Sequence, residues 1–97
     1  MSLPRYAARR DENEPPIIEV LEAVGASVTQ LSGRGIPDLL VGYKGTNLLL
    51  EVIGPAKAKR YRTSEGLTHD QRNWHQRHRG KVHKVRSPQE ALAVLGL

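Results

Sequence analysis

Two acids stand where acids are costly. Asp38 opens the apolar run DLLVGY, and Glu51 lies inside NLLLEVI, thirteen positions further on. Side chains alternate along a strand, so Glu51 shares a face with Leu49 and Ile53 while Leu50 and Val52 face the other way. If the two runs form a hairpin turning near Gly45, Asp38 comes level with residue 52 or 53. The carboxylates then fall opposite or diagonal to each other, about 5–8 Å apart at Cβ. So placed, they repel, and they persist if one is protonated, if cations neutralise them, or if a divalent metal lies between. With the backbone carbonyl of Val52 they form an all-oxygen donor set suited to Mg²⁺ or Mn²⁺, leaving positions for water and a phosphate oxygen. The chemistry open to such a set is metal-assisted phosphodiester hydrolysis. The same residues admit a structural account, in which Asp38 caps the turn after Pro37 and Glu51 pairs with an arginine such as Arg34. Spacing alone leaves both accounts open.

These residues need a hairpin and something to cover it. Ile17, Ile18, Leu21 and Val24 recur at helical spacing, with Asn13 as N-cap, Pro15 and Pro16 in the first turn and Gly25 as the stop, which predicts a helix from about Glu14 to Val24. ASVTQL reads as a strand that SGRGIP ends. DLLVGY and NLLLEVI, separated by KGT, read as an antiparallel hairpin. Their nearly continuous apolar character predicts central strands covered on both faces. Thr68 and Gln71 form a capping box that starts a second helix, KVHKV is a short strand, and Ser87, Pro88 and Glu90 start a third helix that packs Ala91, Leu92 and Leu95. The order is α-β-β-β-α-β-α, an α/β sandwich on a mixed four-stranded sheet. Residues 1–12, polar and without periodicity, read as an N-terminal arm, and residues 13–97 as one domain.

A chain of 97 residues without cysteine is read as a single core with no disulfides and no thiolate metal site. No apolar run approaches a membrane span and no signal region follows Met1, so the expected compartment is the cytoplasm, with no membrane partner. The net charge is +5 and is unevenly spread. Residues 1–53 hold five Lys/Arg against seven Asp/Glu, and residues 54–97 hold ten against three. A basic half beside an acidic one points to a polyanion, with a merely solvated basic face as the plain alternative. KAKRYR interleaves Tyr61 with Lys57, Lys59, Arg60 and Arg62, which suits clamping of backbone phosphate. Arg72, Arg77 and Arg79 would extend that wall. His75 and His78 lie on one helical turn with Gln71 and Trp74, and they read as surface or phosphate-facing groups rather than zinc ligands. Trp74, the one large apolar residue of its helix, reads as the anchor to the sheet.

PD, thirteen positions, then E-x-x resembles the PD-(D/E)XK nuclease motif on the order of elements which that superfamily uses. The blocks NEPPIIEVLEAVGASV, GRGIPDLLVGYKGTNLLLEV, LTHDQRNWHQ and VRSPQEALAVLG resemble a small phage-type VRR-NUC (virus-type replication-repair nuclease) domain, from about Asn13 onward. The resemblance implies a restriction-endonuclease-like fold and a metal-dependent, structure-selective DNA endonuclease similar to Holliday-junction resolvases, which act as homodimers on four-way junctions. It implies that Glu14 completes the metal shell of Asp38 and Glu51, and that Gln71 faces the site. At one position the chain departs: the family pattern E-x-K expects a lysine where Ile53 stands. That lysine orients the attacking water and stabilises the transition state, so its loss puts catalysis in doubt and leaves metal binding intact. A lysine could come from elsewhere, but Lys57 lies up to roughly 13 Å from position 53 along an extended chain, so the loop would have to fold back. The expected function is therefore a branched-DNA endonuclease, impaired here, in which Arg34 and Arg72 join the loop bases on DNA. The alternatives are an inactive branched-DNA-binding module and a basic interaction protein with no metal.

Overall fold

The computed structural model describes residues 10–54 and 66–97. Its elements follow the order expected from the sequence: α1 (Glu14–Ala23), β1 (Ser27–Gln30), β2 (Leu39–Tyr43), β3 (Thr46–Val52), α2 (His69–Arg77), β4 (Val82–Val85) and α3 (Pro88–Val94). The four strands form one sheet in the order β1-β2-β3-β4. β1, β2 and β3 are antiparallel, and β4 joins β3 in parallel through the α2 crossover. The β2–β3 hairpin closes at the pair Tyr43↔Thr46 on the two residues Lys44 and Gly45, both with positive φ (49° and 78°). Two left-handed residues match the twist of the flanking strands, which is why a Gly-containing pair suits this turn.

Ile17 and Leu21 of α1, Leu39 and Val41 of β2, Leu50 and Val52 of β3, Val85 of β4 and Ala91 of α3 form the main core. That core occupies the α1/α3 face of the sheet, with Leu95 packed at its margin. Leu92, expected to pack there too, is half-buried. The opposite face carries Glu51 and Ile53, and Leu67, just before α2, is buried outside the main core. α2 covers this second face only at the far end of the hairpin. Thr46 and Asn47 are exposed, whereas Glu51 and Val52 are buried. Among the described residues, the expectation of strands covered on both faces is therefore met only where β2 begins and β3 ends, α2 being short and polar.

Asn13 is the N-cap residue of α1, but its side chain makes no cap hydrogen bond. The N–H groups an N-cap would serve belong to the second and third helical residues, and here these are Pro15 and Pro16, which have none. The Asn13 amide turns inward instead and donates to the carbonyls of Ile53 (2.9 Å) and Arg86 (3.0 Å). It thereby ties the start of α1 to the C-terminal ends of β3 and β4. At α3, Ser87 caps as expected, but Glu90 reaches back to the N–H of Arg86 (2.6 Å), one residue further than the capping box.

Candidate functional site

The hairpin register sets the two acids. Leu39 pairs with Leu50, and continuing the ladder by one step puts Asp38 directly opposite Glu51, not level with 52 or 53. One step further, Pro37 faces Val52 and has no N–H to continue the ladder. The Asp38 carboxylate fills the gap: its Oδ2 accepts from the Val52 N–H at 2.7 Å. On its other side the Asp38 carbonyl accepts from the Leu31 N–H (2.8 Å), which extends the β1–β2 pairing. Pro-Asp at this position thus ends one ladder and braces two. This is a capping role of the kind that the structural account of Asp38 proposed.

Glu51 is fully buried, and α2 supplies two of its partners. Gln71 donates from Nε2 to Glu51 Oε2 (2.8 Å), and His75 Nε2 lies 3.0 Å from Glu51 Oε1, where its N–H donates to the carboxylate. Residues four apart on a helix share a face, so one turn of α2 delivers both donors. Gln71 also completes the capping box, its Oε1 accepting from the Thr68 N–H while Thr68 Oγ1 accepts from the Gln71 N–H. The two ends of one amide therefore perform both roles that the sequence allowed. His75, read as a surface group, is a partner of a buried acid. The only signal for it in the sequence was its spacing of four from Gln71.

Glu14 is also buried, in the first turn of α1, where a negative charge is favourable. Its Oε2 accepts from Arg10 Nε (2.5 Å) and Gln30 Nε2 (2.7 Å). The Arg10 guanidinium further donates to the carbonyls of Leu31 (3.0 Å) and Asp38 (2.9 Å), binding the start of α1 to the end of β1 and to Asp38 itself. Neither Arg10 nor Gln30 stands out in the sequence: Arg10 is four residues before Glu14, but its other partners and the partner of Gln30 come from other elements. Arg34 does not pair with Glu51. It binds Asp70 at 3.1 Å, with both side chains largely solvent-exposed. Trp74, expected to anchor the helix, is half-buried, and no residue of α2 is fully buried. Its ring stacks on His78 (centroids 4.4 Å, 22°) and meets His75 edge-on (5.9 Å, 73°).

A cleft of about 780 Å³ opens beside these groups, lined among others by Arg10, Asp38, Thr68, Gln71, Arg34 and Asp70. Gly35 lies against the first turn of α2, at φ +77°, where a Cβ would stand 2.4 Å from the Asp70 carbonyl oxygen. Arg72 is exposed on α2 and, with His75 and Lys84, lines a smaller hollow behind it. Ile53, at the position of the family's lysine, is 6% exposed. Its N–H donates to the Val85 carbonyl (2.8 Å). Lys57, Lys59, Arg60, Tyr61 and Arg62 lie outside the described residues.

Among the described residues, no three His, Cys, Asp or Glu side chains gather into a metal cage. A hard cation of the Mg²⁺ type does not need one: it is held by one or two carboxylates and completes its octahedron with waters and substrate oxygens. Asp38, which lines the cleft, and Glu51, buried opposite it, are the two carboxylates that could take part in such a site. Glu14, with its carboxylate taken up by Arg10 and Gln30, stands behind it.

A solved structure of a VRR-NUC domain is similar to this chain over 86% of the chain and 89% of its own length, with 25% identity and a TM-score of 0.55. No family model and no curated protein matches the chain. The likeness supports a VRR-NUC domain and, with the observed mixed sheet and three helices, a restriction-endonuclease-like fold. No helix among the described residues is long and apolar enough to cross a membrane.

Proposed function

The chain is a VRR-NUC-type domain in fold, and from that premise we propose that it is a nuclease domain acting on DNA, descended from metal-dependent, structure-selective endonucleases of the PD-(D/E)XK type. Its preferred substrate is branched DNA, above all the four-way junction. The observation that carries this reading is Glu51, a fully buried carboxylate placed opposite Asp38 and held by α2. A buried charge is retained only where it is compensated, and a site that binds a cation gives it a use.

Asp38, Glu51 and the Val52 carbonyl would hold one Mg²⁺ or Mn²⁺. Such an ion supplies charge neutralisation at the phosphodiester and activation of a water nucleophile. The chain's own residues do the rest. The Val52 N–H fixes Asp38, and Gln71 and His75 fix Glu51. Arg10 locks the start of α1 against Asp38, which sets the position of Glu14 beside the site. Arg34, Arg72 and the loop bases Lys57, Lys59, Arg60 and Arg62 bind backbone phosphates, so recognition is of shape rather than sequence. A junction needs two incisions and each chain offers one site, so the acting form is a symmetric homodimer.

Ile53 favours a second reading. It is apolar and buried where the family pattern E-x-K has a lysine, so hydrolysis is impaired and the chain in the extreme only binds branched DNA. One experiment separates the readings. Mn²⁺ uptake by calorimetry and junction cleavage are measured for wild type, Asp38→Ala and Glu51→Ala, with junction binding followed across salt. Metal uptake lost in both variants, with steeply salt-dependent junction binding, supports the site. Uptake equal in all three removes the metal reading, and binding that is flat across salt removes DNA as the partner.

A further inference from the structure

Trp74 is the single tryptophan of the chain, and it takes no part in the core. It is half-buried on α2, a helix with no fully buried residue, and it belongs neither to the apolar cluster of the α1/α3 face nor to the residues packed on its margin. An indole kept partly in water gives up hydrophobic stabilisation, and the rings around this one are imidazoles. His78, one helical turn on, stacks on it with centroids 4.4 Å apart and planes 22° from parallel, and His75 meets it edge-on. Gly80 leaves room for the stack, since a Cβ there would stand 2.7 Å from His78 Nε2. A hollow of about 220 Å³ opens at the pair, lined by Trp74, His78 and the exposed Arg77. Arg72, Arg79 and Lys81 are exposed on the same stretch, whose one acid, Asp70, is bound by Arg34.

We propose that Trp74 and His78 form a stacking platform for an unpaired nucleobase, with the exposed arginines around them on the adjoining backbone phosphates. This rests on the reading of the chain as a DNA-acting domain, and it names the part of the substrate that α2 holds. Positive side chains alone bind duplex and single strand through their phosphates. A π-face among them adds a partner for the base, and because every base has such a face the contact senses strandedness and not sequence. A base inside a duplex is already stacked and would have to leave its neighbours to reach the rings. The platform therefore favours bases that a flap or a branch point leaves unpaired.

Trp74, as the only tryptophan, reports its own contact. The full chain is titrated at fixed salt, without divalent metal so that no strand is cut, with a short single-stranded thymidine oligonucleotide and with a blunt duplex of the same length. Tryptophan emission follows stacking, anisotropy of a labelled strand gives affinity, and circular dichroism shows each variant folded. The single strand is expected to quench the emission and the duplex to leave it nearly unchanged. Trp74→Leu should weaken single-strand binding roughly 5–150-fold and spare duplex binding, and Trp74→Phe, which keeps a ring, should recover most of the loss. If Trp74→Leu does not fold, His78→Ala, which removes the other ring, carries the same expectation. Emission unchanged by saturating single strand, or an equal loss for both DNAs in the folded variant, overturns the platform and leaves DNA as the partner. A wild type that binds neither DNA overturns the DNA reading and the platform together, before any residue is changed.

Discussion

Ile53→Lys asks what the missing charge would do, and the structure makes activity and stability move in opposite directions. Ile53 is 6% exposed, and full burial of an isoleucine side chain contributes about 1.5–3 kcal/mol. A lysine keeps part of this by laying its methylenes along the same surface. Gly66 packs directly on the branched Cγ2 of Ile53, and a lysine has no such branch, so no new overlap arises there. The ammonium must then leave water. Its partner on the same face is Glu51, already bound by Gln71 and His75, and a buried ion pair at best roughly offsets its desolvation. The net expectation is a loss of about 2 kcal/mol, out of roughly 5–15 kcal/mol for a single domain. Against this, a preorganised cation aimed at the charge developing on the phosphate is worth about 10²–10³ in rate, or roughly 3–4 kcal/mol. Two assays read the two numbers: Mn²⁺-dependent cleavage of a four-way junction at fixed temperature, and urea unfolding. The expected variant cleaves far faster than wild type and unfolds at lower urea with an unchanged slope. A folded Ile53→Lys protein as inert as wild type would refute the catalytic part and favour the binding module. A variant more stable than wild type would refute the reading of position 53 as an apolar contact.

Three further outcomes follow from single contacts. Arg10→Ala strips a buried carboxylate of its guanidinium, a loss of about 3–5 kcal/mol for a fully buried pair, reduced here to about 2–3 kcal/mol because Arg10 is 17% exposed and Gln30 stays on Glu14. Urea unfolding of Arg10→Ala and Arg10→Ala/Glu14→Gln tests this, since the second change should restore part of the loss. Gly35→Ala forces a side chain into φ +77° and against the Asp70 carbonyl, costing about 1–3 kcal/mol, and should weaken Mn²⁺ binding through displacement of Gln71. Normal stability and normal metal affinity would show that α2 does not rest on Gly35. Half-buried His83 has its pKa lowered, first by burial and then by Lys81. Below its ordinary value near 6.5 the unfolded chain takes up the proton more readily than the folded one. Stability should therefore fall as pH drops through that range, and His83→Gln should lose this part of the fall in acid unfolding curves.

How much of this was legible in the sequence depends on the range over which each signal acts. The seven elements follow from local chemistry: the 3.6-residue period of Ile17, Leu21 and Val24, the Lys44-Gly45 turn, the capping box of Thr68 and Gln71, and the Ser87-Pro88 helix start. Each is written within a few residues, so the order of elements and the hairpin could be read from the sequence, but the register could not: the spacing places Asp38 level with residue 52 or 53, and it stands opposite Glu51. The Asn13 side chain misled because its capping partners had been replaced by prolines, a local fact whose consequence, a clamp on Ile53 and Arg86, is not local. Of the groups that hold the buried acids, the sequence offered only Gln71. Arg10 meets Asp38 across 28 residues and His75 meets Glu51 across 24, through contacts that exist only once α1 and α2 have docked on the sheet. A hydrogen bond of this kind leaves no periodicity in a chain, because its geometry is set by the packing of two elements and not by the spacing within either. The sequence by itself therefore determined the elements and the burial of Glu51 within its strand, whereas tertiary structure decided that Glu14 is buried too and what holds the acids, because those contacts form only when the helices dock.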